Sequence, residues 1–258
     1  MSGSMAAFDP ALQAQYDNPA LVPEHPAIIA GWARDAAAYR ATAGGRLDVP
    51  YGPSARQRYD WFGPKGGRLD GPVAVFIHGG YWQKLDKSFF SHCAAGLNAH
   101  GVAVAVLGYD LCPQVTLRRI VEQIRAACAQ LKPALAFGHS AGGHLSAMLL
   151  AAGDVPAAMP ISGVFDVTPL RHTRIGDALA LDEAEARALS PMFMPPSAGR
   201  MHAVVGSAES EAFRAQTREM AARWGGGSEE LPEANHFTVL AGLSDPAGGL
   251  VRSALALI

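Results

Sequence analysis

The chain has 258 residues, 49% of them apolar and 17% charged, with a formal net charge of −2. That length suits one α/β domain with a large core, and a near-neutral balance without any Lys/Arg run argues against a nucleic-acid partner. Three scattered cysteines, none in a C-x-x-C pair, make neither a disulfide framework nor a zinc or redox motif and read as free thiols of a cytoplasmic protein.

The opening residues lack a basic stretch followed by an apolar one, so no secretory signal is expected. No apolar run approaches the roughly 20 residues of a membrane span. Residues 1–45 read as a polar, Ala-rich lead-in. Within it, 27–40 (AIIAGWARDAAAYR) has apolar residues at helical spacing, and Gly44 and Gly45 would end that helix. Residues 57–62 (QRYDWF) alternate polar and aromatic side chains like a half-buried strand, and 63–67 (GPKGG) read as a turn.

Short apolar runs follow at 73–77, 102–107, 134–137, 157–161 and 202–205, with 229–231 as the expected last strand. Their lack of alternation suits strands buried on both faces of a parallel sheet. The helix-like segments 88–100, 116–131, 144–152 and 210–224 lie between them, which indicates right-handed βαβ units. Residues 163–200 break this rhythm, with several prolines and one short helical piece at 182–189. This excursion is expected to cover the C-terminal edge of the sheet, where open α/β sheets bind ligands. No linker interrupts the chain, so 1–258 reads as a single domain.

The strongest chemical signal is Gly138-His139-Ser140-Ala141-Gly142, a G-x-S-x-G between a strand-like and a helix-like run. Strand, sharp turn and helix is the setting of a nucleophile elbow, which holds a serine hydroxyl clear of the sheet. Such a hydroxyl needs a base to take its proton. Of nine histidines, His236 is favoured, because the order serine, acid, histidine puts the base last. His139 and His144 flank the serine along a tight turn and point elsewhere. The acid is expected just past 202–205, where Glu209 leads, Glu211 is second and Asp166 is an outside alternative. Oxyanion donors are expected from the N–H of Ala141 and from Gly79 and Gly80 in the run His78-Gly79-Gly80-Tyr81-Trp82. Tyr81, Trp82 and Phe237, with His139, are expected to line a pocket suited to aryl groups.

With HGGYW at 78–82 and GHSAGGH at 138–144, the chain resembles the α/β-hydrolase group that contains kynurenine formamidase and related carboxylesterases. Further similar stretches are LDVPYG at 47–52, YDLCP at 109–113, ESEAFRAQ at 209–216 and NHF at 235–237. The resemblance implies the α/β-hydrolase fold, a mostly parallel central sheet with helices on both faces. It also implies hydrolysis of a small ester or aryl formamide through an acyl-enzyme, with no cofactor and no metal. One departure is Glu209, where the family usually carries aspartate. The alternatives are a general short-chain carboxylesterase or thioesterase and, from another class, a non-catalytic binding protein of this fold. A small ester or amide is the expected partner, without nucleic acid or membrane, and a homodimer stays open.

Overall fold

The computed structural model describes residues 7–64 and 71–258, so part of the expected turn at 63–67 lies outside the described residues. The chain begins with three helices, α1 (Pro10–Tyr16), α2 (Asn18–Leu21) and α3 (His25–Ala43). The first two lie in the polar, Ala-rich lead-in, where the sequence reading expects a helix only over 27–40. Both begin on aspartate caps: Asp9 accepts from the backbone N–H of Ala11 and Leu12, and Asp17 from that of Ala20. Each also carries proline in its first turn, where a missing N–H costs nothing. Helix α3 is longer than the expected 27–40 and ends on Gly44 in the left-handed conformation (φ 64°).

Strands β1 (Arg46–Pro50), β2 (Arg58–Phe62) and β3 (Val73–Ile77) come next. The sequence reading missed β1. It is an exposed edge strand carrying a proline, and Asp48 breaks its register with φ 57°, so no apolar alternation marked it. The expected helix 88–100 is also corrected. It breaks into two single 3-10 turns, Lys87–Phe89 and Ser91–Ala94, and the short α4 (Ala95–Ala99). Gly96 lies so close to the C-terminal segment that a Cβ there would meet a Val251 methyl at 2.4 Å.

The rest alternates as expected: β4 (Ala103–Leu107), α5 (Leu117–Leu131), β5 (Leu135–His139), α6 (Ala141–Ala151) and β6 (Ala157–Ile161). Helix α6 starts at Ala141, not 144, directly after the serine. The excursion 163–200 holds two 3-10 turns and two short helices, α7 (Arg174–Leu179) and α8 (Glu183–Ala188). Then come β7 (Arg200–Gly206), α9 (Glu211–Trp224), β8 (Gly227–Leu231) and α10 (Gly249–Leu255).

The eight strands form one sheet in the order β1-β2-β4-β3-β5-β6-β7-β8. From β4 to β8 all neighbours are parallel, and β1 and β2 pair antiparallel at one end. Alternate strand residues enter two cores. Val75, Ile77, Ala105 and Val205 pack with side chains of α5, α6 and α9. Phe76, Val104, Phe137 and Val204 pack with side chains of α3, α4 and α10. The strand order reverses between β3 and β5, since β3 sends its chain to β4 on one side while β5 lies on the other. A parallel sheet opens a crevice outside the strand ends at such a switch point. The loop at Gly79 and the turn at Ser140 both leave from there.

Candidate active site

The turn at Ser140 is shaped by what surrounds it. Ser140 has φ 56° and ψ −114°, a backbone state that costs a non-glycine residue about 1–3 kcal/mol and persists where neighbours enforce it. Here the neighbours are backbones in close contact. A Cβ on Gly142 would lie 1.9 Å from the Ile77 carbonyl oxygen, and one on Gly138 would lie 2.4 Å from that of Gly142. Glycine is therefore demanded at both positions by space. Gly79 sits against the turn itself, its missing Cβ 3.1 Å from that of Ser140.

Ser140 lies on the wall of a cavity of about 330 Å³, together with His236, His139, Gly80, Tyr81 and Phe237. The α1–α3 segment contributes Tyr16, Asn18, Ile29 and Trp32, and the excursion contributes Arg174 and Ile175. The N-terminal segment thus forms the larger share of the roof. It is stitched down by polar bonds. Ser210 Oγ donates to the Gln15 carbonyl, Gln15 Oε1 accepts from Ala212 N–H, and Gln13 Oε1 accepts from Arg174 N–H. Tyr81 donates to the Tyr16 carbonyl and accepts from Asn18 Nδ2.

Trp82 does not line this cavity, which corrects the sequence expectation. Tyr81 and Trp82 both have left-handed φ (51° and 58°). The loop therefore winds so that Tyr81 meets the cavity while Trp82 is fully buried, edge-on to His144 with ring centroids 5.0 Å apart.

Glu209 and His236 are in contact. Glu209 Oε2 accepts from His236 Nδ1 at 2.6 Å. A carboxylate only accepts, so Nδ1 carries the proton and Nε2 presents its lone pair. The other carboxylate oxygen, Oε1, accepts from Gly206 N–H at 2.7 Å and from Ser162 Oγ at 2.5 Å. The loops carrying the two residues are laced together, with Ala208 N–H donating to the Ala234 carbonyl and Ser207 N–H to that of Leu231. Glu211 and Asp166 are engaged elsewhere: Glu211 pairs with Arg214 and Arg218 at the surface, and Asp166 caps Thr168. Ser140 and His236 line the same cavity, and no direct Oγ–Nε2 hydrogen bond joins them in this structure. Such bonds are often long until substrate binds.

Among the described residues, the N–H groups of Gly79, Gly80 and Ala141 donate to no protein acceptor. Gly79 lies against the serine turn, and Ala141 opens α6, where the first backbone donors lack intrahelical partners.

His139 Nε2 donates to the His236 carbonyl at 2.7 Å, so the residue beside the serine braces the loop of the other histidine. Burial holds its pKa well below the usual range, and the neighbouring His236 adds to this. Burial likewise lowers His78 and His144 to about 4. These three are neutral structural donors. The sequence reading missed Ser162 altogether; its signal, a small polar residue directly after an apolar strand, is too common to single out.

Among the described residues, no group of three or more His, Cys, Asp or Glu side chains could hold a metal ion, and no helix is long and apolar enough to cross a membrane.

No family model matches the chain. It is 29% identical to a kynurenine formamidase of Salmo salar over 77% of both chains. It is 27% identical to one of Danio rerio, over 82% of this chain and 81% of the other. A crystal structure from Silicibacter sp. TM1040, described as that of a candidate thioesterase, shares 33% identity with a TM-score of 0.90, covering 95% of this chain and 98% of that one. The esterase LipW of Mycobacterium marinum, at 17% identity and a TM-score of 0.70, covers 98% of this chain and 96% of its own and shares the fold. The chain is a hydrolase of the α/β-hydrolase superfamily and belongs to the group of kynurenine formamidases and related esterases.

Proposed function

We propose that the protein is a serine hydrolase that cleaves small aryl formamides or esters through an acyl-enzyme on Ser140. The observation that carries this reading is the juxtaposition in one cavity of a strained serine with a histidine whose far nitrogen is paired to a buried carboxylate. In this scheme His236 Nε2 takes the Ser140 proton as Oγ attacks the carbonyl carbon. The N–H groups of Gly79, Gly80 and Ala141 receive the developing oxyanion. His236 then gives its proton to the departing amine or alcohol, which leaves an acyl-Ser140. Water attacks the acyl group by the same route, and the carboxylic acid departs.

A cavity of about 330 Å³ walled by Tyr16, Trp32, Tyr81 and Phe237 suits a flat aromatic leaving group over a long acyl chain. That favours the substrate class named by the curated relatives, an N-formyl aryl amine that yields formate. Thioester cleavage is the second reading, supported by the high similarity to the candidate thioesterase.

Ser140→Ala should lower turnover by about 10⁴–10⁶ with folding intact and abolish labelling by a fluorophosphonate probe. A folded variant that keeps near-normal hydrolysis would defeat the proposal. Relative kcat/KM on N-formyl-kynurenine, p-nitrophenyl acetate and a short acyl thioester decides between the two readings.

A further inference from the structure

The carboxylate that meets His236 is itself held by a side chain outside the serine, acid and histidine. Ser162 follows β6 as Ser140 follows β5. Each ends its strand in the left-handed region, at φ 51° and 56°. Each N–H donates to the next strand, Ser140 to Ile161 at 2.8 Å and Ser162 to Val204 at 2.7 Å. The two turns differ in where the hydroxyl goes. Ser140 lines the cavity, whereas Ser162 is fully buried and does not line it. Its Oγ donates to Glu209 Oε1.

Glutamate has one more rotatable bond than aspartate, and its terminal torsion is broad and only weakly restricted. A glutamate in this role therefore needs its carboxylate plane fixed from outside. Gly206 N–H and Ser162 Oγ both bind Oε1, which leaves Oε2 directed at the imidazole. A serine with φ of 51° is strained where glycine would not be, so the hydroxyl is what this position offers over glycine.

We propose that Ser162 is the positioning residue of the acid, locking Oε1 of Glu209 so that Oε2 fixes the tautomer and orientation of His236. This inference rests on the serine-hydrolase reading above.

The test is Ser162→Gly, which removes the hydroxyl while easing the backbone. It is measured with p-nitrophenyl acetate alone and in the Glu209→Gln background. Expected is a fall in kcat of about tenfold or more, what a hydrogen bond to a charged group contributes, with KM and the thermal midpoint little changed. With Oε1 released, Oε2 is no longer held on Nδ1 and the charged imidazole loses part of its partner. The acid limb of the kcat/KM profile should therefore move to lower pH. In the Glu209→Gln background the same change should cost little further, because coupled partners are not additive.

A loss under about tenfold with an unmoved acid limb overturns the inference, and so does an equal fractional loss in both backgrounds. If Ser140→Ala keeps its activity, the serine-hydrolase reading fails instead, whatever Ser162→Gly does.

Discussion

Acidification should unfold this protein through its buried histidines before its carboxylates titrate. His144 sits inside α6, fully buried, with Nε2–H donating to the Leu189 carbonyl at 2.7 Å. Its pKa falls from 6.5 to about 4 because burial penalises the charged ring. Above pH 6.5 the ring is neutral in folded and unfolded chains alike and has no effect on the balance. Below 6.5 the unfolded chain takes up a proton that the folded chain refuses, so stability falls as pH falls. At pH 5 the His144 contribution is about 2 kcal/mol. His78 and His139 act with the same sign and from the same cause. Against a typical total of about 5–15 kcal/mol, the combined loss is large. Carboxylates whose pKa is lowered, such as Asp86 and Glu230, start from 3.8 and 4.5. Their stabilisation is lost at lower pH, so the window from 7 to 5 isolates the histidines. Urea midpoints across that window are the assay, with His144→Gln for comparison. The variant should be weaker at pH 7.5 but lose about 2 kcal/mol less on going to pH 5. An equal acid loss in variant and parent, or a midpoint flat from pH 7.5 to 5, would refute the reasoning.

Gly142→Ala should destabilise the protein by about 3 kcal/mol or more or prevent folding, because its methyl would stand 1.9 Å from the Ile77 carbonyl oxygen. Soluble yield and thermal midpoint measure this, and a folded, fully active variant would contradict the close packing of the turn. Tyr81→Phe removes a bond to the Tyr16 carbonyl and one from Asn18, about 1 kcal/mol each. It should raise KM several-fold, leave kcat nearly unchanged and speed proteolysis within residues 7–24. A kcat effect with unchanged KM would argue against a roofing role for that segment.

Legibility in the sequence followed the kind of force involved. Strands β3 to β7 sit between two helix layers, so each carries a short apolar run that stands out. The serine turn was legible because steric demand leaves a glycine signature at 138 and 142. Where polar bonds or exposure decide the structure, the pattern goes silent. Strand β1 carries charged and proline residues at an open edge. Helices α1 and α2 are too short for a periodic signal, although D-P at 9–10 and D-N-P at 17–19 were readable helix starts. Trp82 was misread because composition marks an aromatic as pocket or core alike, and only the left-handed loop backbone decides which. Glu209, Glu211 and Asp166 could be separated only by tertiary contacts, since all three lie close after strand ends.

The roof over the cavity has a consequence for how such a protein could change. Segment 7–24 adds no strand to the sheet, and it is fastened by several polar bonds to the 163–200 region, to α9 and its N-cap Ser210, and to Tyr81. Chemistry and choosiness are therefore written on separate stretches of chain. Substitutions in segment 7–24 can alter which molecules are admitted while the strand ends that carry Ser140 and Glu209 keep their places. A laboratory seeking new substrates has a compact, replaceable stretch on which to begin.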